Sequence, residues 1–233
     1  MSPLLTAPVE WLYPVSLKGA AAIQKKMAER VIKEDQLDPL NTIAGMDVSN
    51  NPYDPAQLIY ASVVLLKADN LQIIETENAV QKQRFPYVSG FLGFREAPAL
   101  VAAFQQLKQK PDLILVDGHG ISHPRGLGIA SHIGVLLNCP TIGVAKTLLV
   151  GKPAAELGLT PGAQVPVLWH GNPIAVLLRT KLRCNPLIIS TGHRVSLPTA
   201  VKQVQQYLRG YRLPEPTRQA HLAANLLRKT QKA

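Results

Sequence analysis

The chain has 233 residues, 46% hydrophobic and 17% charged, a composition that suits one compact domain over 1–233. Twenty-five Lys and Arg against fifteen Asp and Glu give a formal charge of +10, which favours a polyanion as partner, while 5% aromatic content argues against long stacking platforms for single strands. No apolar run reaches the ~20 residues of a bilayer span, and two cysteines, Cys139 and Cys184, exclude a disulfide framework and a CxxC zinc site. The N-terminus, "MSPLLTAPVEWLYP", lacks the basic start and long apolar block of a signal peptide. The expectation is therefore a cytoplasmic protein with no membrane partner.

In chain order, "SLKGAAAIQKKMAERVIKEDQ" (Ser16 to Gln36) has the apolar spacing of an amphipathic helix. A strand follows in "NTIAGMDVSN", then the loop "NPYDP", then two β-rich stretches, Leu58 to Lys67 and Leu71 to Gln81, joined by a link short enough for a hairpin. These three predict an antiparallel meander. Residues 95–109 read as a helix with Pro98 in its first turn. "DLILVD" is a buried strand, "LGIASHIGVLLN" a short helix and "PTIGVA" a strand, an alternation that implies parallel pairing. "VPVLWHGNPIAVLLRT" predicts a hairpin turning at "HGNP", and "NPLIIST" a last strand. Two helices close the chain, "LPTAVKQVQQYLRG" and "TRQAHLAANLLRK"; the basic residues of the latter region, Arg218, Arg228, Lys229 and Lys232, read as a solvated face. The predicted fold is a mixed α/β sheet of the ribonuclease H-like order, a three-strand antiparallel meander followed by parallel strands, flanked by helices.

Three acids fall at telling places in this order. Asp47 interrupts an apolar strand, Asp117 closes another, and Glu96 opens the helix between the third and fourth strands. Taken singly, an acid at a strand end fits turn chemistry, and a glutamate in a first helical turn suits the macrodipole. Taken together they would meet at one sheet edge. Carboxylates sharing a site need a divalent cation to remain ionised together, and oxygen ligands suit Mg²⁺ or Mn²⁺. Such a site within a basic chain fits phosphodiester hydrolysis.

The stretches "IAGMDVS", "FPYVSGFLGFREAPAL", "DLILVDGHGISHPRGLGIASHIGV", "TIGVAKTLL" and "STGHRVSL" strongly resemble the endonuclease V (deoxyinosine 3′-endonuclease) family, in family order from about Ile43 to Leu197. The resemblance implies a ribonuclease H-like, Mg²⁺-dependent enzyme, with Mn²⁺ as a substitute, acting as a monomer. Such an enzyme cuts DNA at the second phosphodiester bond 3′ to a deaminated adenine and leaves a 3′-hydroxyl and a 5′-phosphate. It implies Asp47, Glu96 and Asp117 as metal ligands, Lys146 near the scissile phosphate and His193 at the metal site's edge, positioning a water or the leaving group. Tyr87, after Pro86 and before Gly90, would be the wedge that enters the duplex; here Pro86-Tyr87-Val88-Ser89 replaces the family's usual Pro-Tyr-x-Pro. The glycines of "GHGISHPRGLG" (Gly118, Gly120, Gly126 and Gly128) would bring backbone amides beside the flipped base, with His123 adjoining and His119 and His132 structural. Two other readings stand beside this one: a same-fold nuclease for inosine-containing RNA or branched DNA, and a module that binds inosine without cutting.

Overall fold

The computed structural model describes residues 7–51 and 53–231. Lys232, Pro52 of the "NPYDP" loop and the first six residues of the N-terminal stretch lie outside that description.

Helix α1 (Leu17–Ala28) is capped by Ser16, whose Oγ accepts from Gly19 N at 3.1 Å. It is shorter than the sequence suggests. Beyond Ala28 the chain is drawn against the end of the last strand, where Arg194 N donates to Ile32 O (2.7 Å) and Gln36 N donates to Arg194 O (3.0 Å). Tertiary pairing thus overrides helical spacing there.

Strands β1 (Thr42–Asn50), β2 (Leu58–Lys67) and β3 (Ile73–Lys82) form the expected antiparallel meander. Helix α2 (Leu92–Phe104) begins earlier than expected, because Phe94 is buried against Ala20 and Phe85 and draws "LGF" into the first turn. Pro98 consequently lies inside the helix rather than in its first turn. Strand β4 (Leu113–Asp117), helix α3 (Ile129–Leu137) and strand β5 (Thr141–Ala145) complete the parallel part: β4 pairs in parallel with both β1 and β5.

The remaining strands, β6 (Lys152–Pro153), β7 (Gln164–Trp169), β8 (Asn172–Leu178) and β9 (Leu187–His193), are antiparallel to their neighbours, β9 to β5 included. Helices α4 (Leu197–Gln206) and α5 (Glu215–Thr230) follow. The sheet order is β3-β2-β1-β4-β5-β9-β8-β7-β6.

Strand periodicity divides the core between the two faces. Ala44, Met46, Ile114 and Val116 pack with residues of α1, α2 and α3, whereas Ile43, Leu113, Leu115, Ile142 and Val144 pack with α4 and α5. The next residues in this alternation, Asp47 on β1 and Asp117 on β4, fall on the α5 face. Met46 is paired with Val116, so the two acids also stand level along their strands. Gly45 lets α5 come close, since a Cβ there would collide with the Pro216 backbone at the start of that helix. No described helix is long and apolar enough to cross a membrane.

Candidate metal centre and adjoining cavity

Asp47, Asp117 and His221 offer ligand atoms that lie within 4.8 Å of one another at the carboxyl ends of β1 and β4. His221 comes from α5. Its Nδ1 lies 2.7 Å from Asp47 Oδ2, and Asn225 Nδ2 donates to its Nε2 at 3.1 Å, so Nδ1 carries the hydrogen donated to Asp47, a hydrogen that a bound cation would displace. Asn225 in turn accepts from Ser49 Oγ (2.8 Å), and Arg228 Nε donates to that same hydroxyl (2.8 Å). The chain of contacts fixes the imidazole plane. Arg228 therefore belongs to the packed face of α5, not to the solvated face expected from its sequence.

Electrostatics at this edge favour a cation. Burial, the largest cause, and the neighbouring Asp47 push the Asp117 carboxyl up to about 6, against the opposing pull of Lys146. Lys146, just beyond β5, forms an ion pair with Asp117 Oδ2. Glu96 is buried in α2, and burial pushes it up to about 8, with Arg95 opposing and Asp47 and Asp117 adding to the rise. Its carboxyl senses both aspartates but is not one of the three converging groups. The His221 imidazole is raised by its bond to Asp47. Two carboxylates and an imidazole, with a third carboxyl costly to ionise nearby, fit a divalent cation, and Asp47, Asp117 and His221 would hold it.

His193 does not reach this site. Because β9 runs antiparallel to β5, its last residue pairs with Thr141, which is level with Ile114 at the opposite end of β4 from Asp117. Three residues of strand separate those levels, roughly 10 Å. His193 is buried there, and its Nδ1 accepts from Ile32 N at 3.3 Å. The histidine of the site is His221, which no local signal in "TRQAHLAANLLRK" sets apart.

Beside the cluster lies a cavity of about 190 Å³, walled by the turn around Tyr87 and Gly90, the loop from His119 to Ile129, and Thr147, Leu148 and Leu149 just after Lys146. Against the ~30 Å³ that a water occupies in the liquid, this has room for a flat bicyclic base. Tyr87 is 71% exposed at its mouth, and Pro86 is exposed beside it. His123 lines the cavity, and Gly90 O accepts from His123 Nε2 (2.9 Å), Arg125 NH2 (2.6 Å) and Gln24 Nε2 (2.9 Å). Arg125 Nε also donates to Gln24 Oε1 (2.5 Å), and its guanidinium lies 4.3 Å from the Phe91 ring centroid. Gly90 takes a left-handed φ of 77° at this clamp.

The loop glycines act differently from expectation. Gly118 N donates to Val144 O, Gly120 N to Ser190 Oγ, Gly126 N to His123 O and Gly128 N to Gly120 O. None of these amides is free to read a base. A Cβ at Gly120 or Gly128 would collide with the backbone of Thr191 or His119, so those glycines admit the protein's own chain. His132 is buried with its Nε2 bonded to Trp11 O (2.7 Å), as a structural histidine should be.

A ribonuclease H-like sheet with carboxylates and a histidine gathered at the carboxyl ends of its central strands defines a metal-dependent nuclease. The family model for endonuclease V matches residues 25–222, and the chain belongs to the endonuclease V family. Endonuclease V of Protochlamydia amoebophila (strain UWE25) is 54% identical over 233 residues, covering 100% of this chain and 99% of its own. The crystal structure of endonuclease V from Streptomyces avermitilis superposes with a TM-score of 0.88 at 36% identity, covering 97% of this chain and 98% of that one. Ciona intestinalis endonuclease V, crystallised with a 23mer DNA containing an inosine followed by a ribo-adenosine, gives a TM-score of 0.81 at 27% identity, covering 92% and 98%.

Proposed function

We propose that the protein recognises deoxyinosine in DNA and hydrolyses the second phosphodiester bond 3′ to it, with Mg²⁺ as cofactor and Mn²⁺ as a substitute. The products are a 3′-hydroxyl and a 5′-phosphate, and the lesion stays in the strand. The observation that carries this reading is the cluster of Asp47, Asp117 and His221, with Lys146 on Asp117, adjoining a base-sized cavity beneath an exposed Tyr87.

A divalent ion held by the cluster supplies a lowered pKa for the attacking water and offsets charge on the phosphorane. The chain's own groups do the rest. The Lys146 ammonium passes from Asp117 to an oxygen of the scissile phosphate and neutralises charge there. Asn225 keeps the His221 imidazole aimed at Asp47. Glu96, buried beside both aspartates, completes the acidic wall. The Tyr87 ring enters the base stack and offsets the few kcal/mol needed to extrude the lesion base.

Discrimination at the cavity is supported by two free amides. Leu127 and Ile129 line it, and their amides donate to no backbone acceptor among the described residues. Hypoxanthine offers a carbonyl oxygen where adenine offers an amino donor, so amide donors select the deaminated base. The Ciona intestinalis complex supports inosine as the base read, and its ribose 3′ to the inosine favours a second reading in which inosine-containing RNA is also cut. The test is a nicking assay on matched DNA and RNA oligonucleotides with one inosine, with and without Mg²⁺, mapping the cut to one nucleotide. Mg²⁺-dependent cleavage one nucleotide beyond the inosine's 3′ neighbour bond is expected; no cut, or a large preference for RNA, overturns the DNA reading.

A further inference from the structure

A second cavity of about 410 Å³ also meets Tyr87, the one lining residue among those described that the two cavities share. Its walls include Arg95, Leu58 and the carboxamides of Asn50, Asn51, Gln57 and Gln83; among the described residues no carboxylate lines it. The polar groups are already arranged. Arg95 Nε donates to Gln83 Oε1 at 2.7 Å, and a terminal nitrogen of Arg95 donates to Asn50 Oδ1 at 3.3 Å in the amide orientation that satisfies both groups. With both amide oxygens engaged by Arg95, Gln83 Nε2 and Asn50 Nδ2 remain as donors with no acceptor among the described residues. The Arg95 guanidinium also lies 5.4 Å from the Tyr87 ring centroid, tying this cavity to the wedge.

The walls therefore offer N–H donors, one carboxamide at Gln57 able to donate or accept, and an apolar leucine. A flat ring with two carbonyl oxygens, one N–H and a methyl group complements that set, which is thymine. Deamination of adenine in an A·T pair leaves thymine opposite the lesion. A ring inserted between two cavities can send one base to each. Resting on the inosine-duplex reading above, we propose that this second cavity receives the thymine orphaned opposite the lesion. Its carbonyl oxygens accept from Gln83 and Asn50, and its methyl packs on Leu58. Discrimination then begins on both strands, and the enzyme holds its substrate as a splayed pair.

The experiment measures affinity and single-turnover nicking with inosine opposite thymine, inosine opposite an abasic site, and inosine in a single strand. The proteins are the wild type, Gln83→Leu and Gln83→Glu; the last keeps an acceptor for Arg95 and replaces the donor by a carboxylate oxygen whose charge the Arg95 guanidinium offsets. Wild type should bind the thymine duplex about tenfold more tightly than the abasic one. Both variants should lose that difference while their abasic and single-strand affinities stay within twofold of wild type. Equal weakening on all three substrates would mean that the donors grip a phosphate instead, and overturns the proposal. So does a wild type that cuts every inosine substrate without regard to the partner base, a result that leaves the proposed function standing. A wild type that cuts none of them overturns both.

Discussion

His221 on the last helix donates to Asp47 on the first strand at 2.7 Å, across 174 positions of sequence. A histidine that completes a metal centre should be indispensable, so His221→Ala should lower single-turnover nicking about 100-fold or more, and Asn225→Ala about tenfold through loss of ring orientation. His193→Ala should leave the nicking rate of the folded protein within about twofold and should instead lower its melting temperature. A reversal of these two outcomes in a single-turnover assay would return the site to His193.

The close approach of α5 to β1 makes Gly45 a sensitive position. Gly45→Ala places a methyl group against the Pro216 backbone, which cannot rotate away. Overpacking of this kind costs about 1–3 kcal/mol, and here it also displaces the helix that carries His221. Thermal unfolding and nicking should fall together. A variant with wild-type activity would show that α5 need not be seated this tightly.

Arg125 and Gln24 hold the Gly90 carbonyl and with it the turn that presents Tyr87. Ser89 stands where a second proline is usual in the resembled family, so this clamp supplies rigidity that the turn's sequence lacks. Arg125→Ala should raise KM for inosine in duplex DNA about tenfold, with little change for single-stranded inosine, which needs no wedge. Equal loss on both substrates would mean a general folding defect.

Four histidines are held neutral by burial: His119, His123, His132 and His193 are each pushed down to about 4. Between that value and the ordinary 6.5, the unfolded chain binds more protons than the folded one. The histidines' contribution to stability is therefore complete above about pH 6.5 and declines as pH falls toward 4, by about 1.4 kcal/mol per pH unit for each, while the raised carboxyls of Glu96 and Asp117 offset part of that slope in the metal-free protein. Urea midpoints from pH 7.5 to 4.5 measure the slope. A flat profile would contradict the depressed values.

Glu96 and Asp117 resist ionisation in the metal-free protein, so a divalent cation should stabilise the fold measurably. Adding Mg²⁺ to chelator-treated protein should raise the melting temperature. Asp117→Asn should raise the metal-free value and abolish both the Mg²⁺-induced rise and nicking. A Mg²⁺-induced rise that survives in Asp117→Asn would locate the ion elsewhere.

Much of the fold was legible because its signals are local. Apolar runs ended by turn residues gave β1, β2, β4 and β5 nearly to the residue, and the strand order made β1 and β4 neighbours, while the pairing of Met46 with Val116 that sets Asp47 level with Asp117 belongs to the structure. The start of α2 was not legible, because "GFLGF" has turn-like composition and becomes helical only when Phe94 finds Phe85 and Ala20. The glycines of the 118–128 loop announced a close approach, but not that the approaching atoms belong to Thr191 and His119 instead of a ligand.

By itself the sequence determined the sheet's central order and the two aspartates at its edge, since each rests on residue types and spacings within a few positions, whereas the lysine beside them and the exposed tyrosine turn were marked by the family resemblance. Only the tertiary structure decided which histidine joins the acids. Strand direction is not written in "NPLIISTGH": an antiparallel β9 carries His193 to the far end of the sheet, while the packing of α5 on Gly45 brings His221 to the near one. Both outcomes follow from long-range packing: Thr141, the β5 partner of His193, lies 52 positions away and Pro216, packed on Gly45, 171 positions away, and neither leaves a mark on the local pattern.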